Sequence, residues 1–144
     1  MKPSDKAINI ITEYEGFSAT PYMDPNDGWT IGYGHLIKPG ETFLAITREQ
    51  GRALLRSDVA QAELAIADLV KEPLTQGMYD ALVSFVFNIG RGQFSRSTML
   101  KHLNAGDRLA AFQEFDRWII DDGKKLLGLA RRRAAEGCVF LSDD

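Results

Sequence analysis

Apolar positions at Ala7, Ile10, Ile11 and Tyr14 recur at the i, i+3, i+4, i+7 spacing of one helical face. Ser4 precedes them as an N-cap and Gly16 follows as a terminator, which predicts a helix over residues 5–15. The pattern then shortens. Residues 17–23 and 28–36 read as strands joined by the turn residues DPND and Gly28, with Pro39-Gly40 closing the small β region. From Thr47 the helical period returns. Thr47 and Gln50 form a capping-box signature, and Leu55, Val59, Ala62, Ile66 and Leu69 make one stripe that predicts a single long helix to about residue 70. Thr75 opens the next helix, with Leu82, Phe85, Val86 and Ile89 inside and Gly90 and Gly92 at its end.

Either Ser95 or Ser97 caps a short helix ending at Asn104-Ala105-Gly106. Asp107 caps another that buries Ala111, Phe115 and Trp118. DDGKKLLG reads as a loop, and residues 129–141 as a last helix buried through Ala130, Ala134, Cys138 and Leu141. The predicted class is α+β and mainly helical: a β subdomain over about 16–46, a connecting helix, and a helical lobe over about 71–144 plus the N-terminal helix. With 144 residues and 44% hydrophobic content the expectation is one domain, 1–144.

Composition narrows the function classes. Formal charge is −3, which argues against a general nucleic-acid binder. Residues 1–72 carry 7 Lys+Arg against 11 Asp+Glu, whereas Lys124 to Arg133 alone hold five basic residues. Cys138 is the only cysteine, so no intrachain disulfide forms, and it is expected to be a buried, inert thiol. The longest apolar run, in DALVSFVFNIG, is far below membrane-spanning length, and no export signal is legible.

The stretch EYEGFSATPYMDPNDGWTIGYGH concentrates the candidate chemistry. Glu15 lies at the C-terminal end of the first predicted helix, where the macrodipole and neighbouring Tyr14 and Phe17 disfavour an ionised carboxylate. A general acid needs that setting. Asp24 opens the turn in an exposed place that keeps it charged, and Thr30 on the returning strand is placed to orient a water. Carboxylates in contrasting environments suit glycoside hydrolysis. The plainer reading, a solvated helix end and a turn-forming aspartate, stands beside it. Gly28, Gly32 and Gly34 read as keeping the strand slim, since G-W-T-I-G-Y-G does not fit a nucleotide loop. His35 has no second histidine near it and His102 is isolated, so no metal is expected.

Glu15, eight residues, Asp24, five residues and Thr30 resemble the catalytic spacing of phage-type lysozymes, the glycoside hydrolase family 24 endolysins. EYEGF, YMDPNDGWTIGYGH, SFVFNIG and GLARRRAAEGCVF carry the likeness from about residue 4 to 141. The resemblance implies a lysozyme-like fold and cleavage of the β-1,4 bond between N-acetylmuramic acid and N-acetylglucosamine in peptidoglycan, with bacterial lysis as the outcome. Glu15 would protonate the leaving oxygen, while Asp24 and Thr30 would position water in an inverting reaction. A retaining course through Asp24 stays open. Leu36, Phe87 and Ser97 match glycan-binding positions, although Phe87 fits core packing almost as well.

Arg132 stands where the family pairs an arginine with the catalytic glutamate. That pairing would favour the charged form, against the dipole and burial. Arg131 and Arg133 are expected to be solvated or to face anionic wall polymer. His35 is expected to make a structural polar contact near the hinge. The implied protein is a monomer without a cofactor, held in the host cytoplasm until a membrane pore admits it to periplasmic peptidoglycan. The rivals are a non-catalytic peptidoglycan-binding or structural protein on the same scaffold, and a chitin-type glycosidase.

Overall fold

The computed structural model describes residues 1–142, so the last two positions of the expected domain, 143 and 144, lie outside the described residues. Helix α1 (Asp5–Glu15) begins where the Ser4 hydroxyl accepts from the Lys6 N–H, and it buries Ala7, Ile8, Ile10 and Ile11. Strands β1 (Ser18–Asp24), β2 (Gly28–Gly32) and β3 (His35–Leu36) form one antiparallel sheet in that order. Its register sets Tyr22 opposite Thr30 and Thr30 opposite Leu36, which puts all three side chains on one face. The single strand expected over 28–36 is therefore two. Gly34, at φ 83°, turns the chain between them, a conformation that an L side chain adopts only with strain.

Helix α2 (Arg48–Asp58) starts at the expected capping box. Gln50 N–H donates to the Thr47 hydroxyl at 3.1 Å, and Thr47 N–H donates to the Gln50 side-chain oxygen at 2.8 Å. The one long helix expected here breaks at Val59, and α3 (Ala60–Leu69) continues beyond it. At Val59 the backbone flattens to ψ −9°, and its N–H is shared between the carbonyls of Leu55 and Ser57. The stripe of Leu55, Val59, Ala62 and Ile66 stays buried on both sides of the break, which is why periodicity alone does not reveal it.

Helix α4 (Gln76–Ile89) is the axis of the helical part, with every residue from Gly77 to Val86 buried. Four short pieces follow it: α5 (Arg91–Ser95), α6 (Thr98–Asn104), α7 (Arg108–Gln113) and a 3-10 turn (Glu114–Arg117). Ser97, not Ser95, caps α6, and Gly92, expected as a terminator, lies within α5. The expected loop after Trp118 contains a small hairpin, β4 (Ile120–Asp121) with β5 (Lys124–Lys125). Phe85 packs edge-on against Phe115 and Trp118, and Phe115 against Phe140, with centroids 5.2 to 5.7 Å apart. Each fully buried phenylalanine contributes on the order of 2 kcal/mol.

Helix α8 (Leu127–Phe140) overturns three expectations. Ala134, Cys138 and Leu141 are exposed, and the buried face is Arg132, Arg133, Glu136, Gly137 and Phe140. Arg133, expected to be solvated, is 1% exposed. A face that buries opposite charges together pairs them internally, here with Arg133 Nη1 left without a hydrogen-bond partner, and a hydrophobicity pattern cannot see that face.

Candidate active site

Glu15 occupies the last turn of α1, half-buried, with its side chain 24% exposed. Arg132 of α8 donates to Glu15 Oε1 through Nη1 at 2.6 Å. The same guanidinium is fixed by Glu136 Oε2 at 3.3 Å from Nε, and by the Ser84 carbonyl at 3.1 Å from Nη2. One planar group thus links α1, α4 and α8 beneath the carboxylate.

The sheet approaches from the other side. A Cβ on Gly34 would lie 3.5 Å from Glu15 Oε2, so the β2–β3 turn sits directly against the carboxylate. Asp24 ends β1, and its Oδ1 accepts from the N–H groups of Asn26 at 2.8 Å and Asp27 at 3.3 Å. Two bonds on one oxygen fix the carboxylate in a turn. Tyr22 connects the two acids: burial pushes its phenol above the usual range, and Asp24, Glu15 and Asp27 add to the rise. Both carboxylates therefore act on one side chain. Thr30, beside Tyr22 in the register, is 4% exposed and donates to the Gly28 carbonyl at 2.9 Å.

Two neighbouring cavities lie on this side of the protein, one of them lined by Glu15. One of about 450 Å³ is lined by Tyr14, Glu15, Asn88, Leu127 and Arg132 among others. Another of about 580 Å³ includes Asn26 from the β1–β2 turn, Asn88, Gln93, Trp118 and Ile120. Asn88 and Leu129 line both, so the two cavities adjoin; the second is lined by the amides of Asn26, Asn88 and Gln93 and by the Trp118 indole. Amides and an aromatic face suit a neutral, hydroxyl-rich polymer.

The expected glycan contacts separate. Leu36 is 47% exposed and adjoins Thr30 in the sheet. Phe87 is half-buried against the core and lines a different, smaller cavity with Asp58 and Arg91. Ser97 is 5% exposed, and its hydroxyl is engaged with the Phe94 carbonyl and the Leu100 N–H. Tyr22, Asn88 and Gln93 were not singled out from the sequence. Asn88 carried a signal, a lone amide inside the apolar run SFVFNIG.

His35 stands apart from this chemistry. At 4% exposure, its Nδ1 lies 2.8 Å from Asp58 Oδ2 and its Nε2 lies 3.0 Å from Glu41 Oε1. Burial pulls the imidazole down, but the bonds and charges of Asp58 and Glu41 outweigh it, and the net shift is upward.

Residues 12–136 match the phage lysozyme family. The endolysin of Acyrthosiphon pisum secondary endosymbiont phage 1 is 43% identical, with 99% of each chain covered. The muramidase domain of SpmX from Asticaccaulis excentricus superposes with a TM-score of 0.88 at 39% identity, covering 98% of both chains. A variant of P22 lysozyme superposes at 0.87 and 37% identity, covering 99% of both. Fold and relatives together define a lysozyme-like glycoside hydrolase. The chain belongs to the phage lysozyme family.

Proposed function

We propose that the protein is an endolysin that hydrolyses the β-1,4 bond between N-acetylmuramic acid and N-acetylglucosamine, with Glu15 as general acid and Asp24 and Thr30 positioning the attacking water. The observation that carries this reading is Glu15 itself, held by Arg132 at 2.6 Å on the lining of a cavity of about 450 Å³, with the β2–β3 turn against its carboxylate. Glu15 is partly withdrawn from water and anchored by Arg132, as a proton donor aimed at a leaving oxygen has to be. Asp24 is held by the backbone N–H groups of Asn26 and Asp27. Thr30, adjacent to Tyr22 in the sheet, supplies a hydroxyl on the same face.

The course of reaction is inverting in this reading, with water entering from the Asp24 side of the sugar. Leu36 extends the sugar-binding surface along the sheet, whereas Phe87, in a separate cavity, and Ser97, buried with its hydroxyl engaged, are left out of it. The enzyme acts as a monomer, does not bind nucleic acid, and waits in the host cytoplasm until a membrane pore gives access to the wall. No helix among the described residues is long and apolar enough to cross a membrane.

Glu15→Gln keeps the side chain's shape and removes its proton. Wall lysis should fall by about 10²–10⁴-fold with the melting temperature within a few degrees of the parent. Near-parental lysis by that variant would remove Glu15 from the role and leave a wall-binding protein as the better account. Product anomers followed by NMR on purified peptidoglycan fix the stereochemistry, and chitin digested in parallel fixes the polymer.

A further inference from the structure

We propose that Glu136 is a positioning residue for Glu15: a buried anion shared by Arg132 and Arg133, it holds Arg132 beneath Glu15 and limits the uncompensated positive charge that Glu15 faces. This rests on the reading of Glu15 as the acid and adds a group that touches no substrate.

The geometry is a buried cluster of ion pairs and hydrogen bonds in which Arg133 Nε, Arg133 Nη1 and Glu136 Oε1 have no hydrogen-bond partner. Glu136 is 0% exposed, Arg132 2% and Arg133 1%. Glu136 Oε2 accepts from the Ser84 hydroxyl at 2.6 Å and from Arg132 Nε at 3.3 Å, while Oε1 lies 3.0 Å from Arg133 Nε. Arg133 is steered away from Glu15 by two further contacts. Its Nη2 donates to Asn88 Oδ1 at 2.6 Å, and its guanidinium lies 4.9 Å over the Phe85 ring. Burial lowers Arg133 to about 10, which leaves it charged at neutral pH.

The balance of charge follows. Two buried cations contact Glu136: Arg132 bridges it to Glu15, and Arg133 acts on Glu15 only through space, where so dry a cluster screens it weakly. Burial raises the Glu136 carboxyl and the net shift is upward, opposed by the guanidinium groups and the Ser84 hydroxyl. What favours the anion is the geometry, two arginine nitrogens at 3.0 and 3.3 Å and a donated hydroxyl at 2.6 Å. With Glu136 ionised, one positive charge remains uncompensated beneath Glu15. Without it there would be two, and Glu15 would give up its proton at lower pH. On the sheet side Tyr22 of β1 interacts with Glu15 and also with the Asp24 and Asp27 carboxylates, and Tyr14 lines the same cavity as Glu15; none of these is changed in the variants below. Facing Glu136 are Arg132 and Arg133 of its own helix and Ser84 of α4.

The test compares Glu136→Gln, Arg133→Gln and the double variant by two readouts: the upper limb of the pH–lysis profile, and carboxyl ¹³C NMR of Glu15. In Glu136→Gln the pH at which Glu15 takes up its proton should fall by about one unit. In Arg133→Gln it should rise, and in the charge-neutral double variant it should return close to the parent. Opposite movements that cancel are the signature of charge, because a packing defect would lower activity in all three without them. Unmoved or same-direction titrations overturn the proposal.

If Glu136→Gln does not fold, Arg133→Gln and the double variant still carry the sign. In the parent protein itself, Glu136 must stay ionised across the range in which Glu15 titrates. Its protonation within that range overturns the proposal without any variant. The acid assignment fails separately, through an active Glu15→Gln, and the NMR shifts of Glu15 would stand regardless.

Discussion

Arg132 reaches back 117 residues along the chain to hold Glu15 at 2.6 Å, and it does so from an almost fully buried position. The carboxylate at the end of α1 is thereby located by the far end of the protein.

Arg132→Lys tests that placement. An ammonium cannot engage Glu15, Glu136 and the Ser84 carbonyl in one plane, so one buried acceptor loses its donor. Stability should drop by about 3 kcal/mol in urea unfolding, and lysis by about tenfold or more. A variant as stable as the parent would show that the fork geometry is dispensable.

His35 gives stability a pH dependence of known sign. The folded imidazole binds its proton more tightly than the reference value of 6.5. Its contribution is therefore complete below about pH 6.5 and is lost as pH rises through the folded value. Glu41 acts in the opposite sense. The Lys38 N–H, and then His35, hold its carboxyl below 4.5, so its share is present above that value and is lost on acidification. The stability gap between the parent and His35→Asn should be widest near about pH 5.5 and shrink toward about pH 9. Urea midpoints across that range check it, and a gap that widens with pH contradicts it.

Two glycines in helices should respond in opposite directions to alanine. A methyl on Gly77 would meet the carbonyl oxygens of Val139 and Ser142, where α4 crosses the end of α8. Gly77→Ala should cost about 2 kcal/mol or more by thermal or urea unfolding. Gly128 has no heavy atom within 4 Å of the corresponding point, so Gly128→Ala should be neutral or stabilising by up to about 1 kcal/mol.

Cys138 is exposed, and the native protein should therefore react stoichiometrically with a thiol reagent in the absence of denaturant. Lysis should be unchanged by a small adduct, because Cys138 lines neither the cavity of Glu15 nor its neighbour. A thiol that reacts only after unfolding would restore the buried placement expected from the sequence.

What the sequence discloses follows the range of each interaction. Helix starts at Ser4, Thr47, Thr75 and Asp107 are legible because the cap and its N–H partner are two or three residues apart. The turn at Asp24 is legible for the same reason. The buried face of α8 is not, because Arg132, Arg133 and Glu136 are compensated by Ser84, Asn88 and Glu15 from other elements. The break at Val59 has no proline or glycine to announce it, and the apolar stripe runs straight through. In the site, the Glu15, Asp24 and Thr30 spacing stands out as a motif. Tyr22 and Gln93 do not, since only the folded chain brings Tyr22 under the influence of both acids and sets Gln93 on the lining of the second cavity.

Asp58, the anchor of His35, is the last residue before that break. The sheet is thus moored at a fulcrum, where angular movement of α2 against α3 produces the least displacement. His35 thereby ties the sheet both to the end of α2, through Asp58, and to the segment after β3, through Glu41.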